Sequence, residues 1–159
     1  QYLHFSKPYR YETVKLFVRE GELDQYLFQG LNSIIGNDFI LGATKGYYYG
    51  EHFEELLKKP AFQQQVEFVD DNLHNFHKLI AKRIDGFLMD HIAAGNLMYR
   101  FSPSFKIKAF PLSIHSSEIY IIFSKQSISP AFVARFNQKV IEMKKDGTLD
   151  TIGQKYFNP

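Results

Sequence analysis

An α/β fold, with a parallel or mixed sheet covered by helices on both sides, follows from three features of this 159-residue sequence. Short apolar runs alternate with segments of helical spacing along most of the chain, and several of the runs are too apolar to have a wet face. Two of them also close on residues that mark the carboxyl end of a strand: residues 39–43 open into the Lys45-Gly46 turn, and residues 84–89 end at Asp90. In such sheets ligands sit beyond the carboxyl ends of the strands. Gly46 and Asp90, found independently, therefore point to one crevice.

Each element has its own justification. Residues 14–18 combine β-branched and aromatic side chains in partial alternation and stop before Gly21, which predicts a strand. Residues 23–37 read as a connecting segment, and residues 39–43 as a buried strand. After Gly46, the spacing of Phe53, Leu56 and Leu57 predicts a helix that ends at Pro60. Residues 66–69 form a strand, and Asp70 or Asp71 can cap a helix carrying Leu73, Phe76, Leu79 and Ile80, closed by Lys82 and Arg83. Residues 84–89 are a strand, residues 92–98 a short helix, residues 105–110 alternate apolar with basic side chains, and residues 119–123 are a buried strand candidate. Ser129 and Pro130 supply a cap and a first-turn proline for a helix that carries Phe132, Val133, Phe136, Val140, Ile141 and Met143 and stops at Gly147. Thr148 is expected to cap a last short helix carrying Leu149, Ile152 and Tyr156.

Composition narrows the function classes. The 19 basic and 17 acidic residues are interspersed, so no basic stripe for a phosphate backbone is present and nucleic acid is not an expected partner. With no cysteine, disulfides, thiolate metal sites and Cys nucleophiles are excluded, while cytoplasm and periplasm both stay open. No apolar run approaches the ~18 residues of a membrane span. The abrupt aromatic start, Gln1-Tyr-Leu-His-Phe, leads us to expect an incomplete or processed chain.

Five segments, in this order, resemble the bacterial extracellular solute-binding proteins of family 3, the two-lobed periplasmic receptors of ABC transporters. They are Phe5-Ser-Lys-Pro-Tyr9, the strand ending in Lys45-Gly46, Val69-Asp70 ahead of a helix, Arg83-Ile-Asp-Gly-Phe-Leu-Met-Asp90, and Asp146-Gly-Thr-Leu-Asp-Thr-Ile-Gly-Gln-Lys-Tyr-Phe157. The resemblance implies a periplasmic-binding-protein-like (type II) two-lobed fold with lobe 2 complete and lobe 1 partial. Residues 1–13 would end lobe 1 and form the first hinge strand, 14–115 would be lobe 2, and 116–159 the second hinge strand and the C-terminal part of lobe 1. It also implies a non-catalytic periplasmic protein that captures a small polar solute, an amino acid or similar, by closing its lobes, and delivers it to an ABC transporter permease. A ligand-sensing receptor domain, or an interaction domain without ligand, is the alternative, and self-association of a truncated chain is a further expectation.

By the same resemblance Asp90 accepts from a ligand ammonium and the amides after Gly46 receive a ligand carboxylate, whereas a lobe 1 arginine that clamps the α-carboxylate is absent from this chain. Tyr47, Tyr48 and Tyr49 stand where the family has small hydroxyl residues, which puts α-amino acid specificity in question. The ligand-contact candidates are Asp90, Gly46, Tyr47, Tyr48, Thr44 and Tyr9. Each has a plainer role: Asp90 as a helix cap, Gly46 as a tight turn with positive φ, and the tyrosines as half-buried packing, which is favoured for Tyr9, Tyr11 and Tyr120. Asp85 reads as a surface or turn residue. His74 and His77 share a helix without a zinc-protease pattern, His52 has no catalytic partners, and Glu54 and Glu55 with Lys58 and Lys59 read as helix-surface ion pairs. Ser6, Ser116 and Ser117 carry no nucleophile signature. No cofactor, metal or catalysis is expected.

Overall fold

The computed structural model describes residues 2–101 and 106–157. The chain forms two compact units: Thr13–Ser116, and Gln1–Glu12 together with Ser117–Pro159. Two long strands, β2 (Arg10–Arg19) and β6 (Ile107–Ile119), carry the chain from one unit into the other and back. No helix among the described residues is long and apolar enough to cross a membrane.

The larger unit is built on a five-stranded mixed sheet. Its other strands are β3 (Leu41–Thr44), β4 (Val66–Val69) and β5 (Gly86–Asp90), and the order is β4-β3-β5-β2-β6. β3 runs parallel to both β4 and β5, whereas β2 is antiparallel to β5 with Val14 opposite Asp90 and Val18 opposite Gly86. Helices α1 (Glu51–Leu57) and α2 (Pro60–Gln63) link β3 to β4, α3 (Asn72–Ile80) links β4 to β5, and α4 (His91–Phe101) follows β5.

Period-2 alternation divides the strand residues between two apolar layers. Val14, Leu16, Val18 and Leu88 pack with Leu41, Tyr49, Phe53, Leu56 and Phe62 on one side. Phe17, Phe87 and Met89 pack with Phe76, Leu79, Ala94 and Leu97 on the other. Both faces of the sheet are thus covered, as the apolar runs require. A close approach explains Gly86: a Cβ there would lie 2.8 Å from the Phe17 carbonyl oxygen and 2.9 Å from Phe39.

The smaller unit pairs β1 (Leu3–Phe5) with β7 (Ile122–Ser124), antiparallel, beside α5 (Pro130–Lys145) and α6 (Thr148–Phe157). Ser129 caps α5 through the Phe132 amide at 3.3 Å, with Pro130 in the first turn.

Several elements differ from the sequence expectation. The segment 23–37 is not merely a connection: it holds two 3-10 turns, and the second buries its own Leu31 and Ile34. Residues 107–119 form one long strand, not the end of one strand and the start of another; Phe105 lies outside the described residues. Pro111 is accommodated because β6 is an edge strand. Residues 119–123 do not make a buried strand. Tyr120 and Ile121 interrupt it, and Ile122 is 54% exposed because, among the described residues, β7 pairs only with β1 and packs one face, through Phe123, on Phe132 and Phe136. Thr148 does not cap α6; it is already helical, and the Asp146 carboxylate accepts its amide at 2.9 Å. Asp71 caps α3 through the His74 amide, leaving Asp70 for Lys45.

Candidate functional site

The carboxyl ends of β3, β4 and β5 lie along one rim of the larger unit, because those strands are parallel. Antiparallel β2 brings Thr13, in its first half, to the same rim, where Thr13 Oγ1 lies 3.3 Å from Ser116 Oγ near the end of β6. All five strands therefore contribute to one line of polar groups, in the order Asp70, Lys45 with Gly46, Asp90, Thr13 and Ser116.

Asp90 is the last residue of β5 and is 7% exposed. Its Oδ1 accepts the Ala93 amide at 3.0 Å, which caps α4, and its Oδ2 accepts the Thr13 amide at 3.2 Å. The cap locks the carboxylate at the junction of β5, α4 and β2. A carboxylate offers roughly four acceptor positions, so capping and ligand contact are compatible roles for one side chain.

The turn after β3 is fixed from beneath. Thr44, 1% exposed, donates from Oγ1 to Asn72 Oδ1 at 2.8 Å and accepts from Asn75 Nδ2 at 3.2 Å; its amide donates to the Tyr49 hydroxyl at 2.8 Å. Thr44 is thus committed to holding the turn on α3. Gly46 has φ 76°, the left-handed region that glycine enters at no steric cost, and a Cβ would meet nothing there. The Tyr47 amide closes the turn on the Thr44 carbonyl at 3.4 Å.

The three tyrosines divide. Tyr47 and Tyr48 are about half exposed, whereas Tyr49 is 2% exposed and sits edge-on to Phe53 at 5.1 Å. Burial pushes the Tyr49 phenol above its ordinary pKa, although the Thr44 amide bond works the other way. Tyr48 packs edge-to-face on His115 of β6 at 5.2 Å, and the His115 ring fills the place a Gly50 Cβ would take, 2.8 Å from Nδ1. His115 Nε2 is buried without a hydrogen-bond partner among the described residues.

Sequence reasoning did not place Thr13, Ser116 or His115 at the rim, since nothing local marks them for it; strand register brings them there. Tyr9 belongs to the smaller unit, where its amide donates to the Ile119 carbonyl and it lines a cavity of about 200 Å³ with Ile121, Phe136 and Leu149. Tyr11 and Tyr120 both donate to Glu118, a hydrogen bond that raises both phenol pKa values. Asp85 does lie in a bend, but it also holds Arg19. His74 Nδ1 sits 2.9 Å from Asp71, and Lys58 pairs with Glu55 at 2.6 Å on the surface of the α1 end. Among the described residues no group of three or more His, Cys, Asp or Glu side chains gathers to hold a metal ion.

The family model described as bacterial extracellular solute-binding proteins, family 3, matches residues 1–159. The L-cystine-binding protein TcyJ of Escherichia coli K12 is 26% identical over 96% of this chain and 53% of its own length. The putative amino-acid ABC transporter-binding protein PatH of Vibrio harveyi is 23% identical over 96% of this chain and 57% of its own. The chain spans about half the length of these relatives. Among solved structures, the amino acid ABC transporter substrate-binding protein AbpA of Streptococcus pneumoniae, bound to L-arginine, superposes with a TM-score of 0.69 at 19% identity, covering 99% of this chain and 62% of that one. The fold is that of the type II periplasmic binding proteins, present in part.

Proposed function

The chain belongs to the bacterial extracellular solute-binding proteins of family 3, and from that premise we propose that the whole protein captures a small polar solute of the amino-acid kind in the periplasm and hands it to an ABC transporter permease, without catalysis. The unit Thr13–Ser116 acts as one complete lobe. The observation that carries the reading is Asp90, a carboxylate held at the carboxyl end of β5 beside a glycine turn, on a rim to which every strand contributes.

In this reading the Asp90 carboxylate accepts from a ligand ammonium, and the backbone around Gly46, Tyr47 and Tyr48 receives a ligand carboxylate. Thr44, Asn72 and Asn75 hold the turn in place. The exposed rings of Tyr47 and Tyr48 cover the ligand's body, and the contact of Tyr48 with His115 fixes how far that ring can swing. Such a lining suits a ligand larger than the smallest amino acids. That a relative is named for cystine and another for amino acids supports the ligand class.

The test is calorimetry on the full-length protein with a panel of L-amino acids that includes cystine and arginine. A saturable heat from one of them, weakened at least about tenfold in Asp90→Asn while the protein stays folded, supports solute capture at this rim. Binding of equal strength in Asp90→Asn would remove Asp90 from the site.

A further inference from the structure

At the opposite rim of the same sheet, ahead of β3 and β5, lies a cavity of about 430 Å³ between the segment 25–28 and the turn 37–39. That volume falls in the range that small-molecule sites occupy, ~300–1,000 Å³. We propose that this cavity is a second binding site, for small organic cations that carry an apolar or aromatic body.

Its walls join aromatic and aliphatic side chains to a polar edge of Asn37, Asp38 and Asp85. Tyr26 packs edge-on to Phe39 at 4.9 Å, and Phe28 is braced by Phe110 at 4.8 Å, so both rings are held from behind. Leu27 is 93% exposed at the lip, a large apolar side chain left in water beside a concave surface. Such placement suits an apolar body that would cover it.

Charge decides the sign of the ligand. Arg19 touches the wall at Tyr26 and Asp85, with its charge met by Glu22 and Asp85, and residues 20–44 contain Glu20, Glu22, Asp24 and Asp38 and no Lys, Arg or His, in a chain whose net charge is +2. Glu20 and Glu22 are paired with Lys108 and Arg19, and Asp85 in the cavity wall is taken by Arg19 and the Ile40 amide. Asn37 is also committed, to the Ser33 carbonyl and the Phe39 amide. Asp38 lines the cavity, is exposed, and has no ion-pair partner among the described residues. A carboxylate beside aromatic faces attracts an ammonium twice, by charge and by the ring quadrupole of Tyr26. Burial and the carboxylates of Asp85 and Glu22 raise the Tyr26 phenol pKa, so that ring stays neutral at physiological pH.

The experiment is methyl-resolved NMR of the full-length protein titrated with phenethylammonium, with 3-phenylpropionate as the anion of matching shape. Saturable shifts at the Leu27 and Ile34 methyls with the ammonium, absent with the carboxylate, are expected. Asp38→Asn, an exposed change that leaves the fold intact, should weaken the response about three- to fivefold, and the response should persist in Asp90→Asn, which separates it from the solute site. No shift at Leu27 and Ile34, equal shifts with phenylpropionate, or a response unchanged in Asp38→Asn each overturns the proposal.

Discussion

Two aspartates bracket β5 and do different work. Asp85, just before the strand, accepts the Ile40 amide at 2.8 Å and holds Arg19 at 3.3 Å; Arg19 also reaches Glu22 at 2.6 Å and the carbonyls of Leu79 and Ile84 at 3.0 and 2.7 Å. Asp90, at the other end, caps α4 and accepts the Thr13 amide. Burial alone would lower the Arg19 pKa, yet the Glu22 hydrogen bond and the charges of Glu22 and Asp85 leave it raised. The difference teaches that a carboxylate's role is set by its partners. Where a buried cation meets backbone carbonyls, the carboxylate ties α3, β2 and β5 together; where backbone amides converge at the carboxyl ends of parallel strands, the same group caps a helix and is the ligand contact proposed above.

The largest expected effect comes from breaking the Arg19 end. Asp85→Ala should cost about 2–3 kcal/mol in denaturant unfolding, because it leaves Arg19 short of a partner and the Ile40 amide without an acceptor, yet solute affinity should not change. A loss of affinity in a still-folded Asp85→Ala protein would collapse the distinction between the two ends. At the other end, Asp90→Ala should cost about 1–2 kcal/mol through the lost cap and should abolish the rise in Tm that the bound solute gives. Retained ligand stabilisation would make Asp90 a cap only.

Tyr49→Phe sharpens the comparison at the turn beside Asp90. It strands the buried Thr44 amide, and a loss of about 1 kcal/mol follows. The wild-type phenol has a folded pKa above its unfolded value of ~10, so the folded chain holds this proton more tightly. Stability is intact below pH ~10 and falls as pH rises from there through the folded pKa. Tyr49→Phe should remove that part of the alkaline slope, measured by chemical denaturation at pH 9–11, a range chosen about the phenol pKa of ~10.

The smallest effect is expected from the exposed pair of Lys45 and Asp70, 2.8 Å apart. Its hydrogen bond and the lysine's charge lower the Asp70 pKa, so what the pair contributes is present above the carboxylate's ordinary pKa and fades as pH falls through the lower folded value. Solvent screens it, and Asp70→Asn should leave Tm unchanged at neutral pH.

Much of this was legible in residue pattern. The strand at 66–69, the α5 cap and first-turn proline, and the end of β5 at Asp90 all follow from local signals that a short window contains. The two misplacements have different causes. The apolar residues 119–123 suggest burial, but an apolar run reports only that a face can be covered, and among the described residues β7 pairs with β1 alone. The Asp146 carboxylate displaced Thr148 as the cap of α6 because Gly147, at φ 78°, turns the chain so that the aspartate reaches the first amide.

The sequence by itself determined the alternation of strands and helices, the two-sided burial of the sheet and the two polar punctuation points, Gly46 and Asp90, because hydrophobic period, capping and turn chemistry act over a few residues. Only the tertiary structure decided that Thr13, Ser116 and His115 share a rim with them, that Thr44 faces inward onto Asn72 and Asn75, and that Asp85 holds a buried arginine. Those facts depend on strand order and register, which long-range packing selects and no local window encodes.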